Sequence, residues 1–305
     1  MFVGALGACV IPVRALAGPV PAGVGMLARL ERQAGGRLGV MVRDTVTGHG
    51  FGRRQDERFA QCSTFKLSLA ALVLAEIDAG RAHGDEVLAY SVLDVLPNSP
   101  VTEAAAGGPG LPILTLAAAA VERSDNLAAN LLLARFGGPA GLTAFWRTLG
   151  DAVSRLDNTE PALNHVAPGA VHDTTTPAAM AATVGRLLTG PALSGAARAQ
   201  LWGWMKACAT GLDRLRAGLP AVENGAWQAG DKTGTYTDTG TIAHVNDVAL
   251  LLAPAGDRHF RSPLAVAACY DPPGMPDAVR ASDAAVLAAV ARIVTDPAAW
   301  RMQHR

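Results

Sequence analysis

The sequence is poor in charge and in aromatic side chains. Of its 305 residues, 17% are charged and 5% are aromatic, and the 26 basic side chains balance the 26 acidic ones. A formal net charge of zero argues against nucleic acid or an anionic membrane surface as a partner. No apolar run is long enough for a transmembrane helix, so we expect no stable membrane insertion. The seven histidines form no H-E-x-x-H pattern and the cysteines no paired spacing, so neither a metal nor a cofactor is predicted.

Cysteine is also scarce, and its use depends on the N-terminus. Phe2 to Val13 is apolar and rich in small residues, and Ala15-Leu16-Ala17 resembles the small-x-small site at which a secretory signal is cleaved, although the basic start is missing. We therefore interpret residues 1–20 as a leader remnant and expect an exported, periplasmic or secreted protein; an N-terminal tail of the mature chain is the alternative. Cleavage would leave three cysteines, which either form at most one disulfide or remain free and buried: Cys62, Cys208 and Cys269.

Strand-like segments occur near both ends of the chain. Leu38 to Arg43 and Gly50 to Arg53 form one pair, and Asp247 to Leu252 and Leu264 to Cys269 form another. Apolar helical runs fill the interval, and an amphipathic helix is predicted from Ala278 to Val294. The pattern predicts an α/β (α+β) protein in which both chain ends build an antiparallel sheet flanked by helices. An all-helical lobe is inserted, and the site is expected in the cleft between the lobes.

One short motif could supply a nucleophile. Ser63 and Lys66 directly precede an apolar helical run from Leu67 to Ile77, so their spacing places both on one face of the first turn. A hydroxyl beside an amine, near the positive end of a helix dipole, can attack a carbonyl once the lysine is desolvated enough to accept a proton. In isolation, a serine cap followed by a solvated lysine is the simpler explanation.

Three further motifs follow in order. Ser124-Asp125-Asn126 lies between two helical runs, where a helix cap is the simplest explanation. Glu160 lies in an irregular segment from Leu156 to Thr176, and a loop of that length inside a compact domain is usually functional. Lys232-Thr233-Gly234 leads into a predicted hairpin. Each motif is weak alone, whereas the ordered set is specific.

The four motifs at these separations resemble the set found in the class A serine β-lactamases and, in part, in penicillin-binding proteins. The resemblance runs from about Val24 to the final helix. It implies a five-stranded sheet in an α/β lobe of residues 21–55 and 209–300, with the helical lobe at 56–208. It also implies hydrolysis of the β-lactam amide of penicillins and cephalosporins through a serine acyl-enzyme. The partner would be this small-molecule substrate, and we expect a monomer.

The resemblance also assigns catalytic roles. Ser63 would attack the lactam carbonyl. Lys66, Glu160 acting through a water, or both would take its proton, a point disputed for the family. Ser124, hydrogen-bonded near Lys66 and Lys232, would relay the proton to the ring nitrogen. Glu160 would then activate the water that hydrolyses the ester.

Substrate binding is assigned in the same way. The Lys232-Thr233-Gly234 segment would hold the carboxylate of the substrate, and Asn126 its side-chain amide. The backbone N–H groups of Ser63 and Thr235 would form an oxyanion hole. Asn164 would share the hydrolytic water with the loop glutamate.

Two other functions share part of this motif set. A penicillin-binding transpeptidase or D-Ala-D-Ala carboxypeptidase has the serine, lysine and Lys-Thr-Gly elements without the loop glutamate, so it stays acylated by the drug. A non-turning β-lactam receptor would use acylation as a signal. Glu160 followed by Asn164 favours the hydrolase over both.

Two positions near the loop and the cleft depart from the common family pattern. Asn158 stands where many members have an arginine paired with the aspartate matched here by Asp173, which predicts a less firmly held loop. Arg214 is a candidate for the second cation that the family places near the substrate carboxylate, with a surface role as the alternative. Arg216 is interpreted as structural.

Other departures concern the rim of the cleft. Cys62 adjoins the nucleophile, but Tyr236 occupies the position of the partner cysteine found in some carbapenem-hydrolysing members, so no disulfide is predicted there. The connection from Gly234 to Asn246 is longer than in familiar members, and Tyr236 or His244 could reach substrate. Asn98 stands where an aromatic wall is common.

Overall fold

A five-stranded antiparallel sheet forms the centre of the protein. The computed structural model describes residues 19–222, 225–238 and 242–303, so the leader predicted for 1–20 lies almost wholly outside the described residues. The strands are β1 (Arg37–Asp44), β2 (Gly50–Arg53), β3 (Gln228–Tyr236), β4 (His244–Leu252) and β5 (Leu264–Asp271). Their spatial order is β3-β4-β5-β1-β2. The predicted sheet, built from both chain ends, is therefore confirmed.

Helices cover both faces of this sheet. On one face, α1 (Ala22–Ala34) and α9 (Ala281–Val294) pack on β1 and β5 in a cluster that includes Leu27, Val266 and Leu287. On the other face lie α7 (Pro177–Thr189) and α8 (Gly195–Lys206). Because both faces are covered, strand β4 is buried over almost its whole length.

The inserted helices surround one apolar helix. Residues 65–74 of α2 (Phe65–Asp78) are all buried, so this helix has no polar face and must lie in the middle of its neighbours. Those neighbours in the described residues are α4 (Ile113–Glu122), α5 (Asn126–Arg135), α6 (Gly138–Thr148) and α8, while the short α3 (Pro100–Ala104) packs beside α4 and α5. The predicted helical insertion is found, but it is not all-helical, because two short strand pairs lie within it: Phe59–Ala60 with Thr174–Thr175, and Val87–Leu88 with Leu111–Pro112. Its buried central helix gives the nucleophile motif a rigid support.

The bounds differ from the predicted ones at two places near the site. Ser63 lies in a 3₁₀ turn, Cys62–Thr64, and α2 begins only at Phe65, because Cys62 has a left-handed backbone with φ 44°. Strand β4 begins at His244, since it pairs with β3 as far as Tyr236. No helix in the described ranges is long and apolar enough to cross a bilayer.

Candidate active site

The nucleophile turn, defined as Cys62–Thr64, packs against the end of β3. A Cβ atom added to Gly234 would lie 2.8 Å from the backbone oxygen of Gln61 and 3.0 Å from Cγ2 of Thr64. Only glycine permits this approach, because both distances are shorter than ordinary van der Waals contact. The close packing brings the Lys-Thr-Gly segment beside Ser63.

One carboxylate oxygen of Glu160 contacts both Ser63 and Lys66. Ser63 Oγ donates to Glu160 Oε1 at 3.3 Å, and Lys66 Nζ lies 3.0 Å from the same oxygen. The Lys66 and Glu160 side chains are 0% and 1% exposed. The arrangement places two candidate proton acceptors next to the hydroxyl.

The Lys66 amine is held by oxygen atoms from α5 and the residues before it. Lys66 Nζ donates to the carbonyl oxygen of Ser124 at 2.8 Å and to Asn126 Oδ1 at 2.6 Å. Burial lowers the pKa of Lys66, and this effect outweighs the Glu160 carboxylate, which raises it. At a given pH, a larger fraction of Lys66 is therefore in the neutral form than for a solvated lysine.

Ser124 contacts the two lysines through different atoms. Its hydroxyl accepts from Lys232 Nζ at 3.1 Å, whereas Lys66 bonds its carbonyl. The expected position near both lysines is found, with the hydroxyl bonded to Lys232. Ser124 has a left-handed backbone, φ 56°, and the Asp125 side chain caps α5 by accepting from Ala128 N–H at 2.9 Å.

Three hydrogen bonds hold Glu160 in the loop of residues 156–176, hereafter the Glu160 loop. Asn164 Nδ2 donates to Glu160 Oε2 at 2.7 Å, as expected for the pair that shares a water. Asn130 on α5 receives the Glu160 N–H at 2.9 Å and donates to the Glu160 carbonyl at 2.8 Å. Asn130 was not among the residues predicted from the sequence. The feature that could have identified it is a polar side chain within an apolar helical run.

The neck of the Glu160 loop is held by an amide and a carboxylate. Asn158 Nδ2 donates to Asp173 Oδ2 at 2.7 Å, and the backbone N–H groups of Asp157 and Asn158 donate to Asp173 Oδ1 at 2.8 and 3.0 Å. His172 Nδ1 lies 3.1 Å from Asp173 Oδ2. The predicted pairing of Asn158 with Asp173 is confirmed; the weaker hold on the loop stays a prediction.

Lys232, on strand β3, has a fully buried side chain. Its Nζ donates to the Ser124 hydroxyl and to the carbonyl of Thr233, the latter at 2.8 Å. Burial lowers its pKa to about 8, and the charge of Lys66 adds to the lowering. The Thr233 hydroxyl shares a hydrogen bond of 2.5 Å with the hydroxyl of Thr210, a residue that the sequence reasoning did not single out.

Arg214 reaches the same strand from a preceding loop. Its guanidinium donates to the carbonyls of Gly234 and Asn246 at 3.1 and 2.8 Å and to the Thr235 hydroxyl at 2.6 Å. Burial lowers the pKa of Arg214. The structure thus places this cation beside the Lys-Thr-Gly segment. Arg216 instead pairs with the buried Asp231, in agreement with its structural interpretation.

The three described cysteines are free and buried. Burial raises the pKa of Cys62 well above its ordinary value, and the Glu160 carboxylate adds to this effect. Tyr236, which stands where a partner thiol would be needed, packs edge-on against His165. Within the described ranges, no cluster of three or more His, Cys, Asp or Glu side chains could hold a metal ion.

Together these groups have the parts of a serine acyl-transfer site: a hydroxyl, adjacent proton acceptors, a second proton donor and cations for an anionic substrate. The model of the family described as the β-lactamase enzyme family matches residues 26–297. Among relatives, β-lactamase CTX-M-8 of Citrobacter amalonaticus is 42% identical over 88% of this chain and 87% of its own. β-Lactamase L2 of Stenotrophomonas maltophilia is 45% identical over 75% of this chain and 73% of its own.

Solved structures agree with these relatives. An ancestral class A β-lactamase superposes with a TM-score of 0.81 at 48% identity, covering 89% of this chain and 98% of that one. A β-lactamase from Burkholderia vietnamiensis gives a TM-score of 0.81 at 44% identity, covering 89% and 94%. The chain therefore belongs to the β-lactamase enzyme family, with the class A fold, and is a hydrolase of β-lactams.

Proposed function

We propose that Ser63 opens the β-lactam amide and carries the acyl group as an ester. The observation that carries this proposal is the contact of one Glu160 oxygen with both Ser63 Oγ and Lys66 Nζ, at 3.3 and 3.0 Å. Ser63 Oγ forms a bond to the carbonyl carbon, and its proton passes to Lys66, to Glu160 through a water, or to both. The lowered pKa of Lys66 supports the first route. The 3.3 Å contact supports Glu160 as a second acceptor, one that needs no bridging water in this geometry.

Collapse of the tetrahedral adduct breaks the C–N bond of the lactam. The ring nitrogen then needs a proton, and Ser124 supplies it through its hydroxyl. The bond from Lys232 Nζ to Ser124 Oγ supports this role, because the oxygen accepts from the lysine and leaves its own hydrogen free to donate. The proton that left Ser63 then restores the Ser124 hydroxyl, so Lys232 stays charged. The negative oxygen of the adduct is stabilised by the backbone N–H groups of Ser63 and Thr235, where one donor is worth about 3–4 kcal/mol.

The substrate carboxylate binds at the end of β3. Lys232 provides a buried charge, Thr233 a hydroxyl, and Arg214 a second charge beside Thr235. Gly234 keeps the backbone close to the nucleophile turn. An anion fits this end of the cleft because it would lie against two cations that are otherwise desolvated.

The acyl side chain and the hydrolytic water lie at the opposite end of the cleft. Asn126 accepts from Lys66 and donates through Nδ2 to the carbonyl of Pro97, and Nδ2 has a second hydrogen available for the substrate amide. Glu160 and Asn164 hold the water that attacks the ester, and Glu160 accepts its proton. The Asn164–Glu160 bond of 2.7 Å supports this pairing.

The test mixes the purified protein with excess chromogenic cephalosporin and follows ring opening. We expect turnover far beyond one equivalent, no turnover for Ser63→Ala, and a burst near one equivalent followed by a stall for Glu160→Gln. Retention of the acyl group by that variant is read from the intact mass. A wild-type protein that stops after one equivalent would instead be a penicillin-binding enzyme or a non-turning receptor, and the proposed role of Glu160 would be wrong.

We also propose that residues 21–55 and 209–300 act as one lobe and 56–208 as the other, with export as a monomer. The first lobe is supported by the hydrophobic cluster beneath α1 and α9, whose members all fall within 21–55 and 209–300. The cluster around α2 unites the inserted helices and also takes in sheet residues such as Val248 and Ala265, so the two lobes would share a packed boundary. Sedimentation of the purified chain and fractionation of cells that express it test the last two points. A concentration-dependent dimer or retention of the chain in the cytoplasm would contradict them.

A further inference from the structure

A second threonine contacts the hydroxyl that the proposed function assigns to the substrate carboxylate. Thr210 Oγ1 lies 2.5 Å from Thr233 Oγ1, although the two side chains are 23 positions apart in the sequence. The thiol of Cys208 in turn lies 3.4 Å from Thr210 Oγ1. We call Cys208, Thr210 and Thr233 the hydroxyl row. Since Cys208 is buried, the row runs from the interior of the protein to strand β3.

The backbone on either side of Thr210 fixes the geometry of the row. Ala209 N–H donates at 2.9 Å to the carbonyl of Glu122, the last residue of α4. Gly211 has a left-handed backbone, φ 59°, and a Cβ added to it would lie 2.7 Å from Cγ2 of Thr233. The methyl group of Thr233 therefore packs directly on this glycine. Because methyl and hydroxyl share one carbon, that packing also sets where the hydroxyl lies.

The number of hydrogens in the row determines how it can meet an anion. Each of the three side chains has one hydrogen to donate, and a carboxylate can only accept. Thr233 must therefore give its hydrogen to a substrate carboxylate when one binds. Its oxygen then accepts from the Thr210 hydroxyl, and Thr210 accepts from the Cys208 thiol. The two side chains behind Thr233 thus leave its hydrogen free for the anion.

We propose that Thr210 is a positioning residue for the substrate carboxylate, acting through Thr233, and that Cys208 supports it from the interior. A hydrogen bond accepted by Thr233 Oγ1 polarises the O–H group, which strengthens its bond to the anion. The row meets the substrate at the carboxylate and not at the reacting carbonyl, so its effect falls on substrate binding. The proposal rests on the proposed function, because it requires the carboxylate to lie at Thr233.

The first test measures binding without reaction. In a Ser63→Ala background the nucleophile is absent, so calorimetry gives the dissociation constant of benzylpenicillin directly. Thr210→Val keeps the volume but removes the hydroxyl, and it should raise this constant by about two- to tenfold, the usual worth of one hydrogen bond. Thr210→Ser keeps the hydroxyl and should retain the original affinity. An unchanged constant in Thr210→Val, or equal losses in the valine and serine variants, would overturn the proposal.

The second test compares benzylpenicillin with its methyl ester, using the intact nucleophile and the second-order rate constant of acylation in stopped flow. The ester lacks the charge that makes this hydrogen bond strong, so Thr210→Val should slow its acylation by a smaller factor than that of the free acid. Thr233→Val and the double variant should acylate equally slowly, because Thr210 acts through the Thr233 hydroxyl. Equal losses for acid and ester, or additive losses in the double variant, would show a structural effect and overturn the proposal.

The thiol is tested in the same way. Cys208→Ala should weaken the binding of benzylpenicillin less than Thr210→Val, because a thiol is a weak donor and the Thr210 carbonyl, at 3.8 Å, is a second acceptor for its hydrogen. Combined with Thr210→Val, it should cause no further loss. A further loss in the combined variant would overturn the part assigned to Cys208.

Thr183→Val is the matched control. It removes a buried hydroxyl on α7 that donates to Asp151 Oδ2 at 3.0 Å, so it should lower the melting temperature and leave the affinity for benzylpenicillin unchanged. An equal loss of affinity in this variant would overturn the specific role of Thr210. A wild-type protein without turnover would overturn the proposed function, whereas turnover in the wild type with unchanged affinity in Thr210→Val would overturn this proposal alone.

Discussion

Substitution of Gly234 by alanine tests how closely the site depends on the packing of β3 against the nucleophile turn. The new methyl would lie 2.8 Å from the carbonyl oxygen of Gln61, and this oxygen belongs to the backbone, so it cannot rotate away. Ordinary contact needs roughly half an ångström more, which β3 and the turn must provide by separating. The strain should cost about 1–3 kcal/mol of the free energy of unfolding.

The same separation should impair catalysis. Thr235 follows Gly234, and its N–H is one proposed donor to the oxyanion, so the donor moves away from Ser63. Complete removal of one such donor costs about 10²–10³-fold in rate. We expect a smaller loss for a displaced donor, about ten- to hundredfold in kcat/KM, measured as the acylation rate in stopped flow.

Gly230→Ala serves as the matched control on the same strand. Its Cβ would lie 2.5 Å from the Trp202 ring and 2.9 Å from Met205 Cβ, on α8 rather than at the nucleophile turn. It should lower the melting temperature while leaving the acylation rate near that of the wild type. Equal acylation rates for Gly234→Ala and the wild type, or an equal loss in both glycine variants, would refute the link between this contact and the oxyanion hole.

Three further outcomes follow from the contacts of the site. Because Lys232 has a pKa of about 8 and must be charged to bind a carboxylate, kcat/KM should fall as the pH rises through 8; a profile that is flat to pH 9.5 would contradict this. Asn158→Ala removes the 2.7 Å bond to the buried Asp173 and should lower the free energy of unfolding by about 1–3 kcal/mol in urea titration. An unchanged midpoint would argue that His172 and the two backbone N–H groups suffice to hold Asp173. Asn164→Ala should keep the acylation burst and slow deacylation by at least about tenfold, and equal slowing of both steps would contradict its role with the water.

Much of the fold could be predicted from periodicity because its elements have strong local patterns. The long run of apolar residues after Lys66 predicts a buried helix. Strands near both ends of the chain with helices between them restrict the fold to a few possible topologies. The predicted bounds were least accurate where backbone geometry is set by neighbours. The 3₁₀ turn at Ser63 and the start of β4 at His244 both depend on how β3 packs, which periodicity does not describe.

The sequence alone determined the chemical inventory of this protein and the order of its motifs, because a hydroxyl, an amine, a carboxylate and a Lys-Thr-Gly segment are properties of residues. Only the tertiary structure decided which atoms meet. Ser63 and Glu160 are 97 positions apart and share a contact of 3.3 Å. Arg214, which could have been a surface residue, lies against Thr235, and Tyr236 meets His165. Such contacts, and the burial that lowers the pKa of Lys232, arise from how the helices and the Glu160 loop pack against the sheet, which local patterns in the chain do not encode.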